Sequence, residues 1–292
     1  MKRIFANIVY IFKTSCRWTA VIYAFLGFVC TFAPLNEFLD ESVSLWKRIF
    51  LSLLILATVW LIISIITAVI TCLKNSYKVY EVNNQKVFVH YGDLFSSDFI
   101  SDTARRRNIV IPVNRCFDTL VDDDLVSSNT LHGVLVNKLI SNGKTRKQVD
   151  TLIDSSLASQ NYQYITLSSK DKRKGKLKRY PVGSVAEVKE TDECTYFLLG
   201  LSCFDENLVA TVSDEEYVLA LSRIFEFCNK RSQQYPVVMP LIGGGLSRTG
   251  KSEREILEYL IKLIKLNKSQ LHFDLHIVVR ENGKATVPIT DL

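Results

Sequence analysis

Three consecutive glycines, Gly243, Gly244 and Gly245, lie in the run Pro240-Leu-Ile-Gly-Gly-Gly-Leu-Ser-Arg-Thr249, after an apolar stretch and before a helix signal. Glycine backbone reaches positive φ and lets N–H groups approach a bound oxyanion, so the pattern predicts a phosphate cradle. Ser247, Arg248 and Thr249 add donors. Neither the GxxxxGK[ST] nor the GxGxxG spacing is present, so the usual nucleotide loops are excluded. Two other segments carry polar groups behind apolar runs. One is Tyr91-Gly92-Asp93-Leu94-Phe95. The other is Ile111-Pro-Val-Asn114-Arg115-Cys116-Phe117, which continues to Asp118, Asp122–Asp124 and Ser127-Ser-Asn-Thr130-Leu-His132-Gly133. Consecutive aspartates seldom converge on one ion, and the EF-hand spacing is missing, so no metal is expected. His132 has no paired nucleophile in sequence, and nothing beside Cys116 indicates a lowered thiol pKa.

The elements that position these segments alternate from Ser76 onward. Apolar runs predict strands over Lys86–Tyr91, Asn108–Val113, Val182–Val188, Thr195–Ser202, Pro236–Ile242 and Leu271–Val279. Ser213-Asp-Glu-Glu216 and Ser252-Glu-Arg-Glu255 are capping boxes that open helices. The first helix would bury Val218, Leu221, Phe225 and Cys228, the second Ile256, Leu260, Leu263 and Ile264. Helices between buried strands give a layered α/β domain large enough for its own core. Each candidate segment then falls at the carboxyl end of a strand, where α/β sheets collect ligands.

Ahead of this domain the chain is apolar. Residues 18–36 and 49–73 carry no charge, and about 20 apolar residues suffice to cross a bilayer. The expected organisation is a cytoplasmic segment 1–17, a first transmembrane helix 18–36, an external loop 37–48, a second transmembrane helix 49–73 and a cytoplasmic domain 74–292. Lys2, Arg3, Lys13 and Arg17 precede the first span and Lys74 and Lys78 follow the second, while Glu37, Asp40 and Glu41 lie between them. Positive-inside bias places both termini in the cytoplasm. Small residues at Ala20, Ala24, Gly27 and Thr31, and at Ala57, Ser64 and Thr71, suit close helix packing within the hairpin or between copies. Ile4, Phe5, Ile8, Ile11 and Phe12 have the spacing of an interfacial helix.

With 23% charged and 48% hydrophobic residues, the chain is neither disordered nor fibrous. Its seven cysteines form no CxxC pair, so a disulfide framework or zinc site is not expected. Lys170–Arg179, KDKRKGKLKR, lacks interleaved aromatics and reads as a solvated, mobile loop rather than a nucleic-acid surface.

Together the three site segments resemble the macro domain, an ADP-ribose-binding α/β fold. Gly92-Asp93-Leu94 is similar to that family's Gly-Asp-Ile, whose Asp binds the adenine amino group. Val113-Asn114 matches the start of its Val-Asn-Ala-Ala-Asn segment beside the distal ribose, and Gly243-Gly244-Gly245-Leu246-Ser247 takes the place of its second phosphate loop. The longer strings PVNRCFDTLVDDDLVSSNTLHG and PLIGGGLSR, behind a two-helix anchor, resemble the transmembrane–macro effectors of type II Thoeris antiphage defence.

The resemblance implies a two-helix transmembrane hairpin followed by a three-layer α/β macro domain in the bacterial inner membrane. It implies a TIR-domain partner enzyme that makes an ADP-ribose derivative, histidine-ADP-ribose, as a signal. It also implies ligand-induced homo-oligomerisation, membrane disruption and cell death or growth arrest, with no cofactor and no nucleic acid. The ligand set implied is Asp93, Leu94, Asn114, Arg115, Cys116, Asp122, Asp123, Ser127, Thr130, His132, Gly133, Gly243, Gly244, Gly245, Leu246, Ser247 and Arg248. Asp122–Asp124 would face a cationic group on the distal substituent. Arg115, Cys116 and Phe117 replace Ala-Ala-Asn, and Leu120–Asp124 replaces the glycines that hydrolytic macro domains use, so binding without turnover is expected. The rival is a membrane-tethered ADP-ribosyl hydrolase with His132 or an Asp as base; a third reading is a scaffold.

Overall fold

The computed structural model describes all residues except 1, 33–43, 101–104, 245–249, 268–270 and 291. The chain divides into two compact units, Met1–Asn75 with Lys284–Asp291, and Ser76–Gly283 with Leu292.

The first unit holds α1 (Lys2–Ala6), α2 (Ile8–Phe32) and α3 (Leu45–Leu73). By length and composition α2 and α3 can each cross a bilayer. In α3, Leu54, Ile62, Ile66 and Ile70 are all more than half exposed, an arrangement that water disfavours and lipid does not. Helix α2 starts at Ile8, well before the expected residue 18, because Ile8, Ile11 and Phe12 continue its period. Helix α3 starts at Leu45 and takes in Lys47 and Arg48. The rest of the expected external loop, with Glu37, Asp40 and Glu41, lies outside the described residues.

The two helices meet along Ile11, Ser15 and Thr19 on α2 and Thr71 on α3, all buried, and Phe12 sets its edge to Trp60 at 5.9 Å. Thr71 therefore belongs to the packing within the hairpin, while Ser64 is half-buried and donates to the Trp60 carbonyl of its own helix at 2.8 Å. Ala20, Ala24 and Gly27 stay exposed, and a Cβ on Gly27 would meet nothing within 4 Å among the described residues. Arg3 donates to the carbonyls of Cys72 (2.5 Å) and Lys74, placing a cation at the carbonyl end of α3. Thr290 donates to the Asn7 Oδ1 at 2.6 Å, which ties the C-terminal segment to this unit.

The second unit is built on a sheet of order β1-β2-β10-β9-β3-β7-β6. Its strands are β1 (Ser76–Val82), β2 (Gln85–Tyr91), β3 (Arg107–Asn114), β6 (Val185–Lys189), β7 (Cys194–Phe204), β9 (Val237–Pro240) and β10 (Leu275–Val279). The inner five, β2, β10, β9, β3 and β7, run parallel, and β1 and β6 pair antiparallel at the edges. A short β8 (Ala210–Thr211) folds back on β7, and β4 (Ile165–Thr166) pairs with β5 (Lys178–Arg179) in a separate ribbon. Strand β1 was not expected. It is joined to β2 by Asn83-Asn84, both at positive φ, the conformation a tight hairpin requires.

Helices α4 (Leu131–Ser141) and α5 (Arg146–Ser159) cover one sheet face: Leu135, Leu139, Val149, Ile153 and Leu157 pack on Ile109, Ile111 and Val113. Helices α6 (Asp214–Arg231) and α7 (Glu253–Leu266) serve the other, where Phe227 meets Phe197 of β7 at 5.1 Å. Both expected capping boxes form, at Ser213 and Ser252. The buried face of α6 is rotated from the expected one: Tyr217, Ala220, Leu221, Ile224 and Cys228 are buried and Val218 is exposed. A tyrosine displaces the valine because its hydroxyl has a buried partner, the Ile242 carbonyl at 2.7 Å.

Candidate functional site

The carboxyl ends of the parallel strands release the three segments singled out above onto one edge of the sheet. Strand β2 ends into Gly92-Asp93, β3 ends at Asn114, and β9 runs out into Leu241–Gly244. Two cavities lie there, one on each side of the turn that enters α4. Thr130 caps that helix, accepting from the Gly133 amide at 3.0 Å and donating to the Ser127 carbonyl at 2.7 Å. A Cβ on Gly133 would sit 2.2 Å from the Ser127 oxygen, so glycine is required for the helix to seat on its own turn.

The first cavity, of about 340 Å³, is lined by Asn114, Asp123–Ser127, Thr130 and His132, and from the β7–β8 hairpin by Ser202, Phe204, Leu208, Val209 and Ala210. Two polar atoms here are buried without a partner. Asn114 accepts the Cys116 amide on Oδ1 at 3.0 Å, which leaves its Nδ2 donor unmatched. His132 hydrogen-bonds the Asp118 main chain, and its Nε2 is unmatched. Because a main-chain carbonyl must receive a proton, the other ring nitrogen carries it and Nε2 is an acceptor. Burial lowers the His132 pKa to about 4, so the ring is neutral at physiological pH. Asn114 and His132 both line this cavity, and between them they hold one unmatched donor and one unmatched acceptor, the complement a hydroxyl would need.

The second cavity, of about 300 Å³, is lined by Gly92–Phe95, Asn129, Leu131, Val134, Pro240, Leu241, Glu253, Val278 and Arg280. Asp93 is exposed and accepts the Phe95 amide at 3.1 Å through one carboxylate oxygen, leaving capacity for a ligand amine. Leu94 turns inward and joins the core. Between the strand ends, Gly243 holds φ +92°, a conformation that suits glycine. Gly244 makes the return bond from its amide to the Leu241 carbonyl at 3.1 Å. Gly245, Leu246, Ser247 and Arg248 lie outside the described residues.

Several expected groups are engaged elsewhere. Arg115 donates to the Tyr180 carbonyl (2.8 Å), the Glu216 carboxylate (2.7 Å) and Cys203 Sγ (3.1 Å), and it lines neither cavity. Cys116 is buried, and burial raises its thiol pKa. Phe117, at φ 53° and fully buried, packs edge-on to Tyr180.

Asp122 to Asp124 do not present three free carboxylates. Asp122 pairs with Lys174 and caps the Leu125 amide (2.9 Å), which holds its pKa at about 2. Asp123 accepts twice from Ser128, and Asp124 pairs with Arg173 at 2.5 Å and Lys174 at 3.1 Å. The basic segment stays largely exposed but is tied down, with Lys172 buried and Arg173, Lys174 and Lys176 ion-paired. Five aspartates distant from it in sequence, Asp118, Asp122, Asp124, Asp150 and Asp154, supply its counter-charges.

Sequence reasoning missed the hairpin residues Ser202 to Ala210, and Glu253 and Arg280. Ser202 was within reach of the strand-end argument, since Thr195–Ser202 was read as a strand. The others were not, because nothing local distinguishes them. Among the described residues no His, Cys, Asp and Glu cluster could hold a metal.

The family described as "Thoeris protein ThsA, Macro domain" matches residues 87–280. The chain is also similar to "Thoeris protein ThsA" of Bacillus amyloliquefaciens (strain Y2), at 27% identity over 282 residues, covering 94% of this chain and 84% of that one.

Proposed function

Because the chain belongs to the Thoeris ThsA macro-domain family, we propose that it is a membrane-anchored receptor-effector of antiphage defence whose macro domain binds an ADP-ribose-derived signal. The observation that carries this reading is the pair of residues lining a cavity at the strand edge, Asn114 and His132, each with one buried polar atom that has no partner in the protein, Nδ2 and Nε2. Leaving each such group unpaired costs about 1–3 kcal/mol, which a ligand with matching hydroxyls recovers. The distal ribose occupies this cavity. Its substituent, the histidine of histidine-ADP-ribose, lies toward the apolar wall of Phe204, Leu208 and Val209. The adenine takes the second cavity, with its amino group on Asp93, and the diphosphate crosses the Gly243–Gly244 backbone between them.

The signal comes from a TIR-domain enzyme. Binding drives assembly of copies, and the exposed small face at Ala20, Ala24 and Gly27 lets their membrane helices approach closely. Membrane integrity is then lost and the infected cell is arrested or dies. Both termini lie in the cytoplasm, as the flanking lysines and arginines direct.

The experiment is to isolate the full chain from cells co-expressing the TIR enzyme and identify the bound nucleotide by mass spectrometry. An ADP-ribose conjugate is expected; a chain that carries no nucleotide would sink the reading. The hydrolase alternative meets a neutral, weakly basic His132, and Asp122 and Asp124 are engaged in ion pairs. Release of free ADP-ribose from an ADP-ribosylated protein would support it instead.

A further inference from the structure

Lys172 is the most deeply buried cation among the described residues, fully inaccessible, and its partner Asp118 is only 1% exposed. The ammonium donates to Asp118 Oδ2 at 2.5 Å and to the Lys176 carbonyl at 2.9 Å. The other oxygen of Asp118 accepts the Lys176 amide at 2.6 Å, so residues 172–176 wrap one carboxylate. Gly175, at φ +90°, makes the wrap possible: a Cβ there would lie 2.3 Å from Asp118 Oδ1 and 2.6 Å from Leu125.

A buried ion pair is weak support for stability, since its desolvation offsets most of its attraction; its best-attested use is to fix a register. What this one fixes is the back of the first cavity. Lys172 sits 5.8 Å from the ring centre of Phe204, and Asp118 provides the main-chain group that orients His132. Farther along, Arg173 and Lys174 hold Asp122 and Asp124, in the turn that forms the cavity's outer wall. Lys176 anchors the same segment to Asp150 and Asp154 on α5.

We propose that residues 170–179 form an internal strap that sets the shape of the first cavity, with Lys172 as the positioning residue that holds His132 and Phe204 against the bound group. The inference rests on the reading of that cavity as the distal-ribose end. The strap makes no contact with the ligand; it acts through Asp118, Phe204 and the acidic turn.

The test is calorimetry on the full chain in detergent micelles with two probes, ADP-ribose and ADP, which lacks the distal ribose. Asp118→Asn combined with Lys172→Met removes both buried charges and strands neither. It should weaken ADP-ribose by about tenfold, the loss of one good hydrogen bond, while ADP affinity holds. A merely structural role would weaken both probes together, and that result, or no change in either, overturns the inference. If the wild-type chain itself does not prefer ADP-ribose over ADP, the reading of the cavity fails and the strap's role fails with it. If the neutral pair does not fold, Arg173→Gln with Lys174→Gln loosens the exposed part of the strap without disturbing the core. A selective, smaller loss for ADP-ribose is expected there, and unchanged selectivity overturns the inference.

Discussion

The two cavities at the strand edge are alike in size and opposite in construction. The first is lined by two residues with a buried, unmatched polar atom, Asn114 (Nδ2) and His132 (Nε2), beside a turn that is itself clasped by a basic strap. The second presents an exposed carboxylate, Asp93, beside Asn129, Glu253 and Arg280 and the apolar Leu94, Leu131, Val134 and Val278. A solvated carboxylate loses water to gain a ligand, so its net contribution is modest. A buried unmatched group has already lost its water, so a correct ligand gains more and a wrong one is rejected more strongly. On the proposed reading, the first cavity sets which nucleotide derivative is bound, and the second adds affinity for anything that carries the adenine.

The largest effect should come from emptying the first cavity of its polar pair. Asn114→Ala with His132→Phe is expected to weaken ADP-ribose by about a hundredfold, from two lost hydrogen bonds, and to leave ADP nearly unchanged. Calorimetry with both probes decides it, and an equal loss for the two would erase the distinction between the cavities.

Acid should act through the same end. His132 has its pKa lowered from 6.5 to about 4 by burial, as does His276, and His90 goes to about 3 through burial and its neighbour His276. Above pH 6.5 neither folded nor unfolded chain protonates these rings. As pH falls from 6.5 toward 4 the unfolded chain takes up protons that the folded one refuses, so stability declines. The slope is about 1.4 kcal/mol per pH unit for each histidine at most, and it levels once the folded rings titrate. Thermal melts between pH 7.5 and 4 measure it. Between pH 6.5 and 5, above the range where the ion-paired carboxylates contribute, the slope in His132→Gln should shallow by about a third, three histidines being buried; an unchanged slope would mean that His132 is hydrated.

A smaller effect is expected at the second cavity. Asp93→Ala should weaken ADP and ADP-ribose alike, by about tenfold, the loss of a hydrogen bond to a charged acceptor. Unchanged affinity in the folded variant would remove Asp93 from the adenine site.

The smallest effect on binding, none, should accompany Gly27→Leu. Among the described residues a side chain at this glycine would meet nothing, so nucleotide affinity stays at the wild-type value. Growth arrest on triggering the TIR enzyme should nonetheless be lost, because close approach between copies is blocked. Dye uptake in the same cells reports it, and normal arrest would show that this face takes no part in assembly.

Much of the architecture could be read locally. Two uncharged stretches announce α2 and α3, and the Ser213 and Ser252 boxes start α6 and α7 at the expected residues. The inner parallel strands follow from apolar runs, because a strand covered on both faces needs no alternation. Asp93, Asn114 and the triglycine run stand out in the sequence because each falls at or just beyond the end of such a strand. These features depend on period, composition and neighbours within a few residues.

Tertiary structure decided what the charges do. Nothing in KDKRKGKLKR shows that one lysine is buried while its neighbours pair on the surface; that depends on Asp118, Asp122 and Asp124 some fifty residues earlier and on Asp150 and Asp154 across α5. Arg115 looked like a ligand group and is committed to Glu216, a hundred residues away. Val218 yielded its core position to Tyr217 because a buried hydroxyl found the Ile242 carbonyl. Burial of apolar side chains follows local periodicity, so the sequence alone determined the layers. A charge or a hydrogen-bonding group is settled by whichever distant partner the fold brings within about 3 Å, and only the folded chain determines that.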